Sequence, residues 1–160
     1  MALEVLYLVR HGKAEVSHPA GDRHRPLSNE GRRRIESMLP SALRMKFSAF
    51  LALSSPFLRA VQTRDLFAAV LTPSRNETSA VFAPSGDLAD ACIELTAWES
   101  AGYTRIAVFT HNPFVTALAE YLLIPGSVPD LVFHTPTILA LRFDRGLQPS
   151  EGQPLWILHP

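Results

Sequence analysis

The amino-acid sequence predicts an α/β fold. It is a three-layer sandwich with a mainly parallel sheet flanked by helices and an antiparallel hairpin at its C-terminal edge. Three observations predict it. Short apolar runs alternate with helix-periodic segments, in the order β-α-β-α-β-α-β-α-β-β. Several runs stop abruptly at residues that turn or cap the chain, such as Gly12, Ser55-Pro56 and Asn112-Pro113. The last two runs, at about 137–143 and 155–158, are separated by the turn signal Asp144-Arg145-Gly146.

The elements follow in order. Residues 3–9 form the first strand, and Gly12 lets the chain turn sharply where it leaves the sheet. Residues 13–27 are polar and rich in His, Pro and Arg, which predicts a loop. Ser28 caps the next helix, Glu30 lies in its first turn, and Ile35, Met38 and Leu39 form its apolar face. Pro40 ends or kinks it. Arg32-Arg33-Arg34 has no interleaved aromatics, so a solvated helix face is expected rather than a nucleic-acid site. Phe50 to Leu53 is a second strand, and Ser55-Pro56 reads as an N-cap with proline at the first helical position. That helix runs to about Leu71, with Phe57, Ala60/Val61, Phe67 and Leu71 as its buried stripe. Arg59 falls in its first turns, near Gln62 and Thr63. Thr72 to Glu77 is expected to be a loop, Ser79 to Phe82 a short strand, and Pro84 to Asp87 a turn. Helices are expected at about 88–100 and 113–123, on either side of a central strand at 105–110.

The chain has 160 residues, 47% of them hydrophobic, which suits one domain spanning 1–160. Lys+Arg and Asp+Glu number 15 each, so no bulk field draws in nucleic acid or a membrane surface. Any anion site must be a local cluster. Cys92 is the only cysteine, which excludes an internal disulfide. With no targeting segment in the sequence, a cytoplasmic location is expected. No apolar run is long enough to span a bilayer. The sequon Asn76-Glu77-Thr78 is taken as chance.

Chemistry-bearing residues follow three strands. Arg10-His11 ends the first, Arg59 follows the second, and His111 follows the central one. In a parallel sheet these ends lie on one edge and can converge. Arginine forks suit phosphate oxygens, and helix N-termini near Ser55-Pro56 and Asn112-Pro113 add N–H donors. The predicted site is therefore a pocket for a phosphoryl group. His11 and His111 could instead bind a metal, but Arg10 and Arg59 would repel a dication, so no metal is expected.

These stretches resemble a known family. Leu8-Val9-Arg10-His11-Gly12 resembles the signature of the histidine phosphatase superfamily, Ser55 to Thr63 its second motif and Thr110-His111-Asn112-Pro113 its third. Arg25 to Gly31 matches a further common segment. The short chain, Pro84 to Asp87, and Phe133 to Phe143 look most like the small SixA-type phosphohistidine phosphatases. The resemblance implies a phosphoglycerate-mutase-like fold and a metal- and cofactor-independent enzyme. It implies His11 as nucleophile, with Arg10, Arg59, His111 and Asn112 around the phosphate. Its expected partners are a phosphohistidine-bearing protein and a phosphate ion, with no nucleic acid or membrane. Phosphoesters need a general acid; Asp87 is the nearest match, with Asp90 and Glu94 behind it, and Asp87 is equally placed to cap a helix. The alternatives are a broader phosphomonoesterase, a mutase-like enzyme, or a binding module without turnover. His18, His24, His134 and His159 receive no role.

Overall fold

A computed structural model describes residues 1–160. Six strands form one sheet in the order β3-β2-β4-β1-β5-β6. They are β1 (Val5–Arg10), β2 (Leu51–Ser54), β3 (Arg75–Thr78), β4 (Arg105–Thr110), β5 (Thr137–Arg142) and β6 (Gln153–Leu158). The first four in that order run parallel; β5 is antiparallel to β1, and β6 to β5.

Strand side chains alternate between two cores, as the two-residue period of a strand requires. Leu6, Leu8, Leu53, Ile106 and Val108 face α3 (Leu88–Ser100) and α4 (Phe114–Leu122). Tyr7, Val9, Ala52, Ala107 and Phe109 face α1 (Asn29–Arg44) and α2 (Leu58–Leu71). Both faces are covered, so β1, β2 and β4 read as continuous apolar runs. No helix is long and apolar enough to cross a membrane.

Four local expectations change. The strand at the far edge is Arg75–Thr78, and Ala80–Phe82 is a 3-10 turn capped by the Ser79 hydroxyl. An exposed edge strand needs no apolar run: Arg75 and Glu77, two apart on one face, form an ion pair. Phe82 instead drops its ring fully into the core from the turn. Second, α1 passes through Pro40 without a break. Pro40 and Glu36 are exposed, so water can serve the carbonyl that loses its donor. Third, α2 starts at Leu58, and Ser55 gives it no conventional cap; its Oγ accepts from the Phe57 N–H at 3.2 Å. Fourth, Gly12 does not have a positive φ. A Cβ there would lie 2.9 Å from Ile35 Cδ1 and 3.1 Å from Leu27 Cδ2, so close packing explains the glycine.

The Ser28 cap of α1 holds as expected, with its Oγ accepting from the Gly31 N–H at 3.0 Å. A Cβ on Gly31 would collide with the Lys13 carbonyl, which already accepts from the Ser28 N–H. Gly31→Ala should therefore cost about 2 kcal/mol, although alanine at a free helix position would help. A urea midpoint at or above wild type would refute this packing argument.

Candidate active site

Register brings the predicted residues together. Arg10 pairs with Thr110 across the parallel β1–β4 ladder, so the next residues, His11 and His111, leave the sheet side by side. The His11 N–H donates to the Thr110 carbonyl at 3.0 Å, and the two imidazoles lie 4.9 Å apart, edge to face. Ser54 of β2 pairs with Phe109 of β4, which brings Ser55 to the same edge.

Each side chain is held by named partners. His11 Nδ1 lies 2.6 Å from the Gly12 carbonyl. A carbonyl can only accept, so Nδ1 carries the proton and Nε2 keeps its lone pair. The Arg59 Nε–H donates to that lone pair at 3.2 Å. Thr63, one turn beyond Arg59, accepts from the Gly12 N–H at 3.0 Å and donates to the Arg59 carbonyl at 2.7 Å. This couples α2 to the loop carrying His11. Arg10 Nη1 donates to the Phe133 carbonyl at 2.6 Å, which fixes its fork at the strand end.

His111 is buried, with Nε2 2.7 Å from Ser55 Oγ. Ser55 Oγ also accepts from the Phe57 N–H, and its own hydrogen can be given to Nε2. In the tautomer in which Ser55 donates to Nε2, the neutral ring carries its proton on Nδ1, a buried atom without a protein partner. Arg10 Nε is another such donor. Buried polar atoms of this kind are rare, and an oxyanion between these two residues would satisfy both.

Asn112 shares with Arg10 the Phe133 carbonyl as acceptor. Its Oδ1 accepts from Thr116 Oγ1 at 2.7 Å, and its amide points to the Phe133 carbonyl at 3.5 Å. Asp87 caps α3, accepting from the Ala89 and Asp90 N–H groups at 2.8 and 3.2 Å. Glu94 accepts from Ser79 Oγ at 2.6 Å. Neither Asp87, Asp90 nor Glu94 hydrogen-bonds to Arg10, His11, Arg59 or His111. His18 and His24 lie 6.0 Å apart on the exposed loop, and His134 and His159 pair elsewhere at 5.0 Å.

The carboxylate at the site is one that sequence reasoning missed. Asp22 sits in a 3-10 turn (Asp22–His24) of the loop after β1. Its carbonyl accepts from Arg59 Nη1 at 2.8 Å and its Oδ2 from Nη2 at 3.1 Å, while Oδ1 meets Arg25 Nη1 at 2.6 Å. Its spacing from Arg25, three residues on in a basic loop, was the available signal. Hydrogen bonding to Arg25, then to Arg59, holds this carboxyl below its ordinary range, so it is an anion at neutral pH.

Both imidazoles, by contrast, are neutral at pH 7. Burial, opposed by the Gly12 hydrogen bond and reinforced by Arg59 and Arg10, pushes His11 down to about 4. Burial, then His11 and Arg59, pushes His111 down to about 3. The consequence for stability has a definite sign. An unfolded histidine gains its proton near pH 6.5, whereas these gain theirs only near 4 and 3. Stability is therefore complete above about pH 6.5 and falls as pH drops from there toward the folded values. The protein should lose ~2 kcal/mol or more between pH 7 and pH 4.5, and His111→Gln should lose clearly less. Urea midpoints at the two pH values check this; equal losses in both proteins would refute it.

No group of three or more His, Cys, Asp or Glu side chains converges into a metal-binding cluster. The two surface cavities, about 270 and 210 Å³, lie around Ile124 and include none of the residues above.

A profile of the histidine phosphatase superfamily (branch 1) matches residues 6–80, which include Arg10, His11 and Arg59. Phosphohistidine phosphatase SixA of Escherichia coli (strain K12) is 30% identical over 156 residues, covering 97% of this chain and 93% of SixA. A structure of the protein histidine phosphatase SixA complexed with tungstate superposes with a TM-score of 0.84 at 30% identity, covering 98% and 97% of the two chains. A mycobacterial glucosyl-3-phosphoglycerate phosphatase shares the fold, with a TM-score of 0.63 at 14% identity over 96% and 98% of the chains. With paired histidines and arginines converging on one sheet edge and SixA aligned along nearly its whole length, this chain belongs to the histidine phosphatase superfamily and is a phosphatase.

Proposed function

We propose that the protein removes phosphoryl groups from phosphohistidine on another protein, through a phosphohistidine formed on its own His11. The observation that carries this is the state of Asp22. The carboxylate at the site is held as an anion by two arginines, so it is not a proton donor. A phosphate ester of an alkyl alcohol needs such a donor, because an alkoxide leaves poorly. A protonated phosphohistidine does not, because its imidazole leaves neutral.

The chemistry follows from the side chains. His11 Nε2 attacks phosphorus with the lone pair that its tautomer keeps available. The phosphoryl oxygens take over the Arg59 donor now directed at Nε2, and they accept from Arg10 and from His111 Nδ1. These groups stabilise the charge spread over the equatorial oxygens of a loose transition state. The bond to the substrate nitrogen breaks, and its electron pair stays on the departing imidazole. Water then bonds to phosphorus, the phosphorus–Nε2 pair returns to His11, and both water hydrogens leave in dihydrogen phosphate. Asp87 has no part in these steps, and Asn112 orients the Phe133 carbonyl rather than the phosphate. The lone Cys92 thiol suits a reducing compartment such as the cytoplasm.

A substrate panel tests the proposal. It comprises a phosphohistidine phosphotransfer protein, a phosphoserine peptide, a sugar phosphate and an aryl phosphate. The phosphohistidine protein should give the highest kcat/KM. A higher value for the sugar phosphate would make the protein a small-molecule phosphomonoesterase. Binding without release of phosphate from any of the four would make it a binding module.

A further inference from the structure

We infer that Asp22 determines leaving-group specificity: its carboxylate accepts a hydrogen bond from the ring N–H of a departing imidazole and so favours phosphohistidine over phosphate esters. The inference rests on the phosphohistidine chemistry proposed above and assigns one residue to it.

The placement follows from Arg59. One edge of its guanidinium, Nε, meets the His11 lone pair, and its other two nitrogens meet Asp22. The buried Arg59 side chain thus bridges half-buried His11 and exposed Asp22. In an in-line transfer the leaving group departs on the side of phosphorus away from the nucleophile. Asp22 sits at the end of the Arg59 guanidinium opposite the one that meets His11, so with phosphorus at His11 Nε2 and its oxygens on Arg59 we place the departing group beside Asp22. The Asp22 side chain is 53% exposed, against 7% for Arg59, so it is open to a group arriving from solvent.

The carboxylate has capacity for this bond. Each oxygen meets one arginine nitrogen, Oδ1 with Arg25 and Oδ2 with Arg59. A carboxylate offers about four lone-pair positions, so about two remain. The two arginines also hold it in place, and an isolated bridge between Ala14 and Leu27 closes the base of its loop.

The bond accounts for its atoms. Protonated phosphohistidine carries phosphorus on one ring nitrogen and hydrogen on the other. When the phosphorus–nitrogen bond breaks, its electron pair stays on the first nitrogen. The second keeps its hydrogen, which Asp22 accepts without taking it. The carboxylate favours the cationic imidazole of the bound substrate, whereas it repels the negative charge that builds on a departing phenolate.

The test uses the full chain with two substrates, a phosphohistidine phosphotransfer protein and an aryl phosphate. Asp22→Asn should lower kcat/KM for the phosphohistidine protein by about 10-fold or more, the size expected for losing a charge-assisted hydrogen bond. It should raise kcat/KM for the aryl phosphate, so the ratio between substrates falls by more than the first change alone. Asp22→Glu, which keeps the charge, should recover part of the ratio. Equal losses on both substrates would overturn the inference, leaving Asp22 as a positioning residue for Arg59 and the phosphohistidine reading intact. A wild-type protein with no preference for phosphohistidine would overturn that reading and this inference together.

Discussion

His11→Ala is expected to lower kcat/KM by roughly 10⁴-fold or more on every substrate the enzyme turns over. The size follows from the covalent route. His11 Nε2 is the atom with an available lone pair at the centre of the site, and alanine offers no nucleophile. The loss should fall on kcat, because Arg10, Arg59 and His111 still bind the phosphoryl group. The variant should fold. It removes a half-buried imidazole whose charged form is disfavoured, so below pH 6.5 its stability should decline less than that of wild type. A variant retaining a tenth of wild-type turnover, with its fold verified by circular dichroism, would exclude His11 as nucleophile.

Arg59→Lys should cost about 10²–10³-fold in kcat/KM, although the charge is kept. Arg59 spans His11 Nε2 at 3.2 Å and both the carbonyl and the carboxylate of Asp22. A lysine is a single point charge and cannot hold that fork. In the proposed mechanism the fork donates to oxygens whose charge changes during transfer, so kcat should fall more than KM rises. The Ki of vanadate, an oxyanion probe, should rise in the same variant. A lysine variant within threefold of wild type on both measures would show that charge alone suffices.

Much of this site was legible in the sequence because its parts follow apolar strands. A buried parallel strand forces an apolar run, and the first polar residues after it mark the sheet edge. Arg10-His11 and Thr110-His111 stand out for that reason, and the Arg10–Thr110 register makes them neighbours. Other features carried no such mark. The edge strand Arg75–Thr78 is polar because its side chains stay largely exposed at the sheet's edge. Ser55 followed by proline looks like a helix cap, but its hydroxyl is used on His111. Asp22 lies in a loop without periodicity, and its importance depends on a contact with Arg59, 37 residues away. Asp87 reads equally as an acid or a helix cap in the sequence, and in the structure it serves the backbone of α3.

The most direct test of the covalent route is rapid quenching of the wild-type enzyme with a labelled phosphohistidine protein, followed by peptide mass analysis. The predicted result is a single phosphorylated peptide carrying the label on His11 Nε2, stable in base, lost in acid and absent from His11→Ala. Turnover in which no label reaches His11 at any quench time, or label on another residue that survives His11→Ala, would contradict it.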